Sequence, residues 1–134
     1  GSPPMNFLEF ESAVEAGATS VAVNGASIGL PAVREELSRR ALALGVRPEH
    51  VRFDDASPLR GTIFGTEYLG TTQIVTVSTE HGPLKARVPA DVRVSAGETV
   101  GLKLSSDRLS LFDKASGRAV RTTLHDTGGS VRHG

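Results

Sequence analysis

A mainly β fold built as a small antiparallel barrel is what this sequence predicts, and three observations carry the prediction. Apolar and polar residues alternate with period two in most of the segments between turns, as half-buried strands require. The turns are short and rich in Gly, Pro, Asn and Asp. The chain has 15 glycines in 134 residues and no cysteine, so curvature is available while disulfide staples are not.

Taken in order, Leu8, Phe10, Ser12 and Val14 alternate with Glu9, Glu11 and Ala13, which is a strand. Ser20 to Val23 is a second short strand, closed by Asn24-Gly25, the pair that suits a two-residue hairpin turn. Over residues 32–46 the local spacing of Val33, Leu37, Ala41 and Leu44 predicts a helix with Gly45 as its cap. A short turn followed by a strand through Ala41 to Val46 is the competing reading. From Leu59 the signal is strand after strand: 59–69, 72–79, 84–88, 100–104 and 109–112. Gly70 and Gly82-Pro83 separate the first three, and Lys114 to Gly117 closes the last. Leu84, Ala86 and Val88 face the core while Lys85 and Arg87 face water; Phe64 and Phe112 are placed in the core, which leaves Tyr68 as the main exposed ring. Short strands in this number suit the five-stranded oligonucleotide/oligosaccharide-binding (OB) type of barrel, with an additional short-strand and helical segment on its N-terminal side. The stretch "TTLHDTGGSVRHG" has no period, so the domain is expected over 1–121 and a flexible tail over 122–134.

Charge narrows the function classes. Fifteen basic residues balance fifteen acidic ones. A nucleic-acid binder needs a positive excess on one face and exposed aromatic platforms, so no nucleic-acid partner is expected. No apolar run approaches the roughly 20 residues of a membrane-spanning helix.

Motifs that would carry catalysis are weak. Gly61, Gly65 and Gly70 lack the lysine and spacing of a phosphate-binding loop, and read as bends of a curved strand. Asp126-Thr127-Gly128 matches the triplet of aspartic proteases but lies in a polar terminal stretch rather than between apolar strands. His50, His81, His125 and His133 have no zinc-site spacing. No catalytic residue, metal ligand or cofactor site is therefore assigned. In "ALGVRPEHVRF", Glu49 and His50 are neighbours and point apart on a strand, which disfavours an acid/base pair. The favoured reading is a corner held by Pro48 and by an ion pair or backbone bonds of Arg47 and Glu49.

The segments "GSPPMNFLE", "LGVRPEHV", "GTIFGTEYLGTTQIVTV" and "GETVGLKLSSDRLSLFDKASGRAV" together resemble the C-terminal regulatory region of the ATP-binding subunit of carbohydrate-type ABC importers, the maltose and sn-glycerol-3-phosphate group. The resemblance implies a transport-associated OB-type domain and favours the strand over Ala41 to Val46. It implies that Gly1-Ser2 is native sequence preceded by an ATPase domain, where ATP and Mg would bind. Gly45, Arg47, Pro48, Glu49 and His50 match the family's structural corner, and Phe112, Asp113 and Gly117 its C-terminal turn. The implied location is the cytoplasmic side of the membrane, peripheral to it. The implied partners are membrane-spanning permease subunits, a regulatory protein in some members, and a second copy of the subunit. Thr62, Thr66, Thr72, Thr76 and Ser78 form a hydroxyl-rich wet face, the expected site of a weak homodimer. Two further readings stay open: a small-ligand or oxyanion-binding barrel of the same fold, and a free-standing hydrolase.

Overall fold

The computed structural model describes residues 4–124. They form two compact units, one of residues 4–8 and 46–104, the other of residues 9–45 and 105–124.

In the first unit five strands form one antiparallel sheet: β5 (Val51–Phe53), β6 (Arg60–Leu69), β7 (Thr72–Thr79), β8 (Gly82–Pro89) and β9 (Thr99–Leu104), in the order β5-β9-β6-β7-β8. The two outermost strands, β5 and β8, also touch, which curls the sheet toward a barrel. Its inside is made by the expected alternation: Leu84, Ala86, Val77, Val75 and Leu102 are buried while Lys85 and Lys103 are exposed. Pro83 lies inside β8, opposite Ser78, and the turn before it is Glu80-His81, one step earlier than Gly82-Pro83. An edge strand tolerates that proline because one of its sides needs no amide donor. At Gly101 the requirement is close approach. A Cβ there would overlap the Asp54 carbonyl oxygen and stand 2.8 Å from an Arg60 guanidinium nitrogen.

The second unit holds a three-stranded sheet in which β4 (Leu37–Val46) lies between β1 (Asn6–Val14) and β10 (Ser110–Asp113), and a hairpin of β2 (Ser20–Val23) and β3 (Ala26–Gly29). The hairpin turn is Asn24-Gly25, with φ of 49° and 81°, the left-handed pair that the residue types suit.

Residues 32–46 are a correction. No helix forms; β4 runs through Ala41, which is exposed, and Gly45, which pairs with Ser110 instead of capping a helix. Residues 42–46 are buried without interruption, the signature of a strand covered on both faces. Backbone partners on two sides outweigh the local helical spacing. Helical structure among the described residues is confined to short turns, Pro48–His50 and Ser106–Arg108 being single 3₁₀ turns. Residues 122–124 are the second correction. Thr122 is buried and bridges Val33, and the Thr123 amide donates to the Ala32 carbonyl at 2.9 Å, so these residues are docked on the unit. Asp126-Thr127-Gly128, His125, His133 and the rest of the expected tail lie outside the described residues.

Candidate functional site

Gly45, Arg47, Pro48, Glu49 and His50 turn the chain from β4 into β5. Pro48 opens the 3₁₀ turn, where its fixed φ suits the first position, and its ring is buried. The His50 amide donates to the Arg47 carbonyl at 2.9 Å, and the Val51 amide to that of Pro48. The turn packs on β8. The expected ion pair is absent: Arg47 and Glu49 are exposed, and neither side chain bonds to a described residue. The corner is held by proline burial and main-chain bonds, with both charged side chains free to face water.

Phe112, Asp113 and Gly117 shape the turn after β10. The Asp113 carboxylate accepts the Ala115 amide at 3.1 Å, and the Gly117 amide donates to the Asp113 carbonyl at 2.8 Å with φ of 73° at the glycine. The same carboxylate takes a 3.2 Å salt bridge from Arg40 on β4, two strand positions from Leu42, the register partner of Asp113. Lys114 reaches Glu9 at 2.8 Å. Nearby in chain order, Glu35 accepts both Arg118 guanidinium nitrogens, at 3.4 and 3.1 Å, and the Arg121 amide at 2.8 Å. The hydrogen-bonded Arg118 guanidinium, with the Arg121 amide next, holds the Glu35 carboxyl below its ordinary range. The three ion pairs span 73 to 105 residues of sequence and left no local signal to find them by.

The five hydroxyl residues separate into two sets. Thr62 pairs with Ser78 and Gly65 with Thr76, but the register shifts between Ile63 and Gly65. Past that bulge Thr66 pairs with Val75, whose side chain faces the interior, and the Thr66 hydroxyl donates to the Gln73 amide oxygen at 2.7 Å. Thr62, Thr72, Thr76 and Ser78 thus share one face and Thr66 lies on the other. Phe64, the residue skipped by the bulge, is 75% exposed and so is not in the core as expected, and Phe112 is only partly buried. Tyr68, expected outside, is 62% exposed.

Among the described residues no three His, Cys, Asp or Glu side chains gather into a metal site, and no helix is long and apolar enough to cross a membrane. The arrangement offers turns, ion pairs and sheet surface.

A model of the TOBE domain matches residues 44–112. The chain belongs to the TOBE domain family. A second model, the MalK OB fold domain, matches residues 1–51, so the Gly45 to His50 corner of this TOBE domain falls where the two matches overlap. Similar curated proteins include the sn-glycerol-3-phosphate import ATP-binding protein UgpC of Paraburkholderia xenovorans, 34% identical over 88% of this chain and 34% of that protein. UgpC 2 of Agrobacterium fabrum is 31% identical over 91% and 33%, and the osmoprotective compounds uptake ATP-binding protein GgtA of Synechocystis is 27% identical over 90% and 35%. The TOBE chain spans about a third of the length of the curated relatives it matches. Among solved structures, the cytoplasmic molybdate-binding protein ModG superposes with a TM-score of 0.58 at 14% identity, over 79% of this chain and 94% of that one, a likeness of fold alone.

Proposed function

We propose that this chain is the regulatory and dimerisation part of the ATP-binding subunit of an ABC importer for a sugar or sugar phosphate. The observation that carries the reading is the alignment of about 90% of the chain to import ATP-binding proteins. In this reading ATP and Mg bind elsewhere in the parent subunit. The chain works on the cytoplasmic side, beside membrane-spanning permease subunits, associates weakly with a second copy, and offers its surface to a regulatory protein.

The test is a transplant. The aligned third of a UgpC is replaced by this chain in cells that depend on sn-glycerol-3-phosphate uptake. Retained uptake, or an assembled complex with altered regulation of its ATPase, is the expected result. A folded chimera that hydrolyses ATP but neither assembles with the permease nor transports defeats the proposal. So does saturable Mg-ATP binding by the chain alone, because no phosphate cradle of the required spacing exists in it.

A further inference from the structure

Three stretches far apart in sequence meet in the second unit and frame an open cavity of about 460 Å³. They are Leu30-Pro31 after β3, the 3₁₀ turn Ser106–Arg108, and Thr123-Leu124. The volume falls within the roughly 300–1,000 Å³ of small-molecule sites. Main-chain bonds hold each wall: the Leu30 amide donates to the Thr19 carbonyl at 3.0 Å, the Arg108 amide to that of Ser105 at 2.9 Å, and the Thr123 amide to that of Ala32 at 2.9 Å. Gly29 lets the first wall meet the second. A Cβ there would stand 3.3 Å from the Ser106 Cβ, so only the bare backbone allows the turn to come this close. The cavity is thus formed without a ligand, and collapsing it would cost these bonds.

Its lining divides into an apolar side and a charged side. Leu30 is buried and Pro31 and Leu124 are half-buried, which gives a ligand apolar surface to cover. Asp107 and Arg108 are exposed and carry opposite charges on consecutive positions of one turn. Neither side chain bonds to a described residue, and they do not pair with each other. The Ser106 hydroxyl is unbonded in the same way. A carboxylate and a guanidinium left open on one cavity wall make a two-point contact for a molecule that bears both signs. A simple anion would be repelled by Asp107 while it is drawn to Arg108, a simple cation the reverse, and a neutral polyol leaves both charges without a counter-charge. A zwitterion answers both.

We propose that this cavity binds a small zwitterion of the α-amino-acid class with an apolar side chain. Its carboxylate sits on Arg108, whose planar fork suits two parallel hydrogen bonds to a carboxylate. Its ammonium group sits on Asp107, and its side chain covers Leu30, Pro31 and Leu124. Both charged contacts face water on one side, so the affinity is weak, with a Kd on the order of 1 mM. The site goes beyond the importer reading and does not depend on it, since assembly and uptake decide that reading whichever way the cavity behaves.

Leucine titrated into the full chain and followed by amide NMR is expected to shift Leu30, Ser106 to Arg108, Thr123 and Leu124 saturably. Leucinamide, which lacks the carboxylate, and N-acetylleucine, which lacks the ammonium group, are each expected to bind roughly tenfold more weakly, the loss of one hydrogen bond to a charged group. Arg108→Gln and Asp107→Asn are expected to weaken leucine binding to the same degree while amide resonances away from the cavity stay in place, because both side chains are exposed and unbonded. No saturable shift at tens of millimolar leucine overturns the proposal. Inorganic phosphate, N-acetylleucine or glucose binding as tightly as leucine also overturns it, since the cavity is then an anion or polyol site. So does leucine binding that both substitutions leave unchanged, which puts the ligand elsewhere.

Discussion

Replacing Gln73 by leucine tests how the barrel holds its longest described loop. Gln73 lies on β7 with its side chain fully buried, an uncommon place for an amide. Its oxygen accepts the Thr66 hydroxyl at 2.7 Å, and its nitrogen donates to the carbonyls of Pro89 at 3.1 Å and Val92 at 2.5 Å. Pro89 ends β8 and Val92 lies in the connection to β9, so one side chain fastens that connection to the sheet. Leucine keeps the bulk and removes every bond. The Val92 carbonyl loses its side-chain donor, at a cost of about 1–3 kcal/mol, while the Pro89 carbonyl keeps the Val92 amide and the exposed Thr66 hydroxyl turns to water, so the loss is roughly 1–3 kcal/mol. With an m-value near 2 kcal/mol/M, the urea midpoint falls by about 0.5–1.5 M. Amide exchange checks the location: protection should fall at Val92, whose N–H donates to the Pro89 carbonyl, before it falls in β7. A midpoint shift below about 0.3 M with unchanged exchange refutes the reasoning, because the Val92 carbonyl would then be satisfied without the amide.

Three further expectations follow from the same geometry. Gly101→Ala forces the backbone at Asp54 to move and should cost about 3 kcal/mol in urea unfolding; a loss under about 1 kcal/mol shows that the close approach relaxes freely. Glu49→Ala should change stability by less than about 0.5 kcal/mol, since the carboxylate is exposed and bonds to no described residue; a larger loss reinstates the ion-paired corner. Glu35 has its carboxyl lowered in the folded state, so its contribution is present above the ordinary value of about 4.5 and is lost as pH falls through the lowered one. The stability gap between wild type and Glu35→Gln should therefore close in acid, and a gap that stays constant from pH 7 to pH 3 removes the clasp from the account.

What was legible in the sequence was what the residues demand by themselves. Asn24-Gly25 takes two positive φ values at little cost, so the hairpin could be read from two letters. Leu84 to Val88 alternates because one side of β8 is dry and the other wet. β4 was ambiguous because its helical spacing is a local property, whereas its strand conformation depends on partners as far away as Ser110 to Asp113. At the corner the expected ion pair does not form. Pro48 dictates the turn through its fixed φ, but whether Arg47 and Glu49 reach each other depends on side-chain directions that adjacency does not set.

The bulge in β6 shows how one residue can change both the expected site and the available one. Counting by twos from Thr62 puts Thr66 on the same face, and the expectation of a single hydroxyl surface followed from that count. The register shift between Ile63 and Gly65 inserts a step, so every side chain beyond it changes face while the strand itself continues. Thr66 thereby turns to Gln73 and becomes part of the buried amide's network, and Phe64 is left outside. The shift also coincides with the end of pairing to β9, since Ile63 is the last residue of β6 bonded on that side. Beyond it the strand has turned its faces and lost a neighbour at once. Neither event leaves a mark in "GTIFGTEYLG" beyond a glycine that tolerates the bend, because a bulge is defined by what the partner strand does not supply. Beyond the bulge β6 is therefore paired on one side only, which the period-two pattern that found the strands had no means of showing.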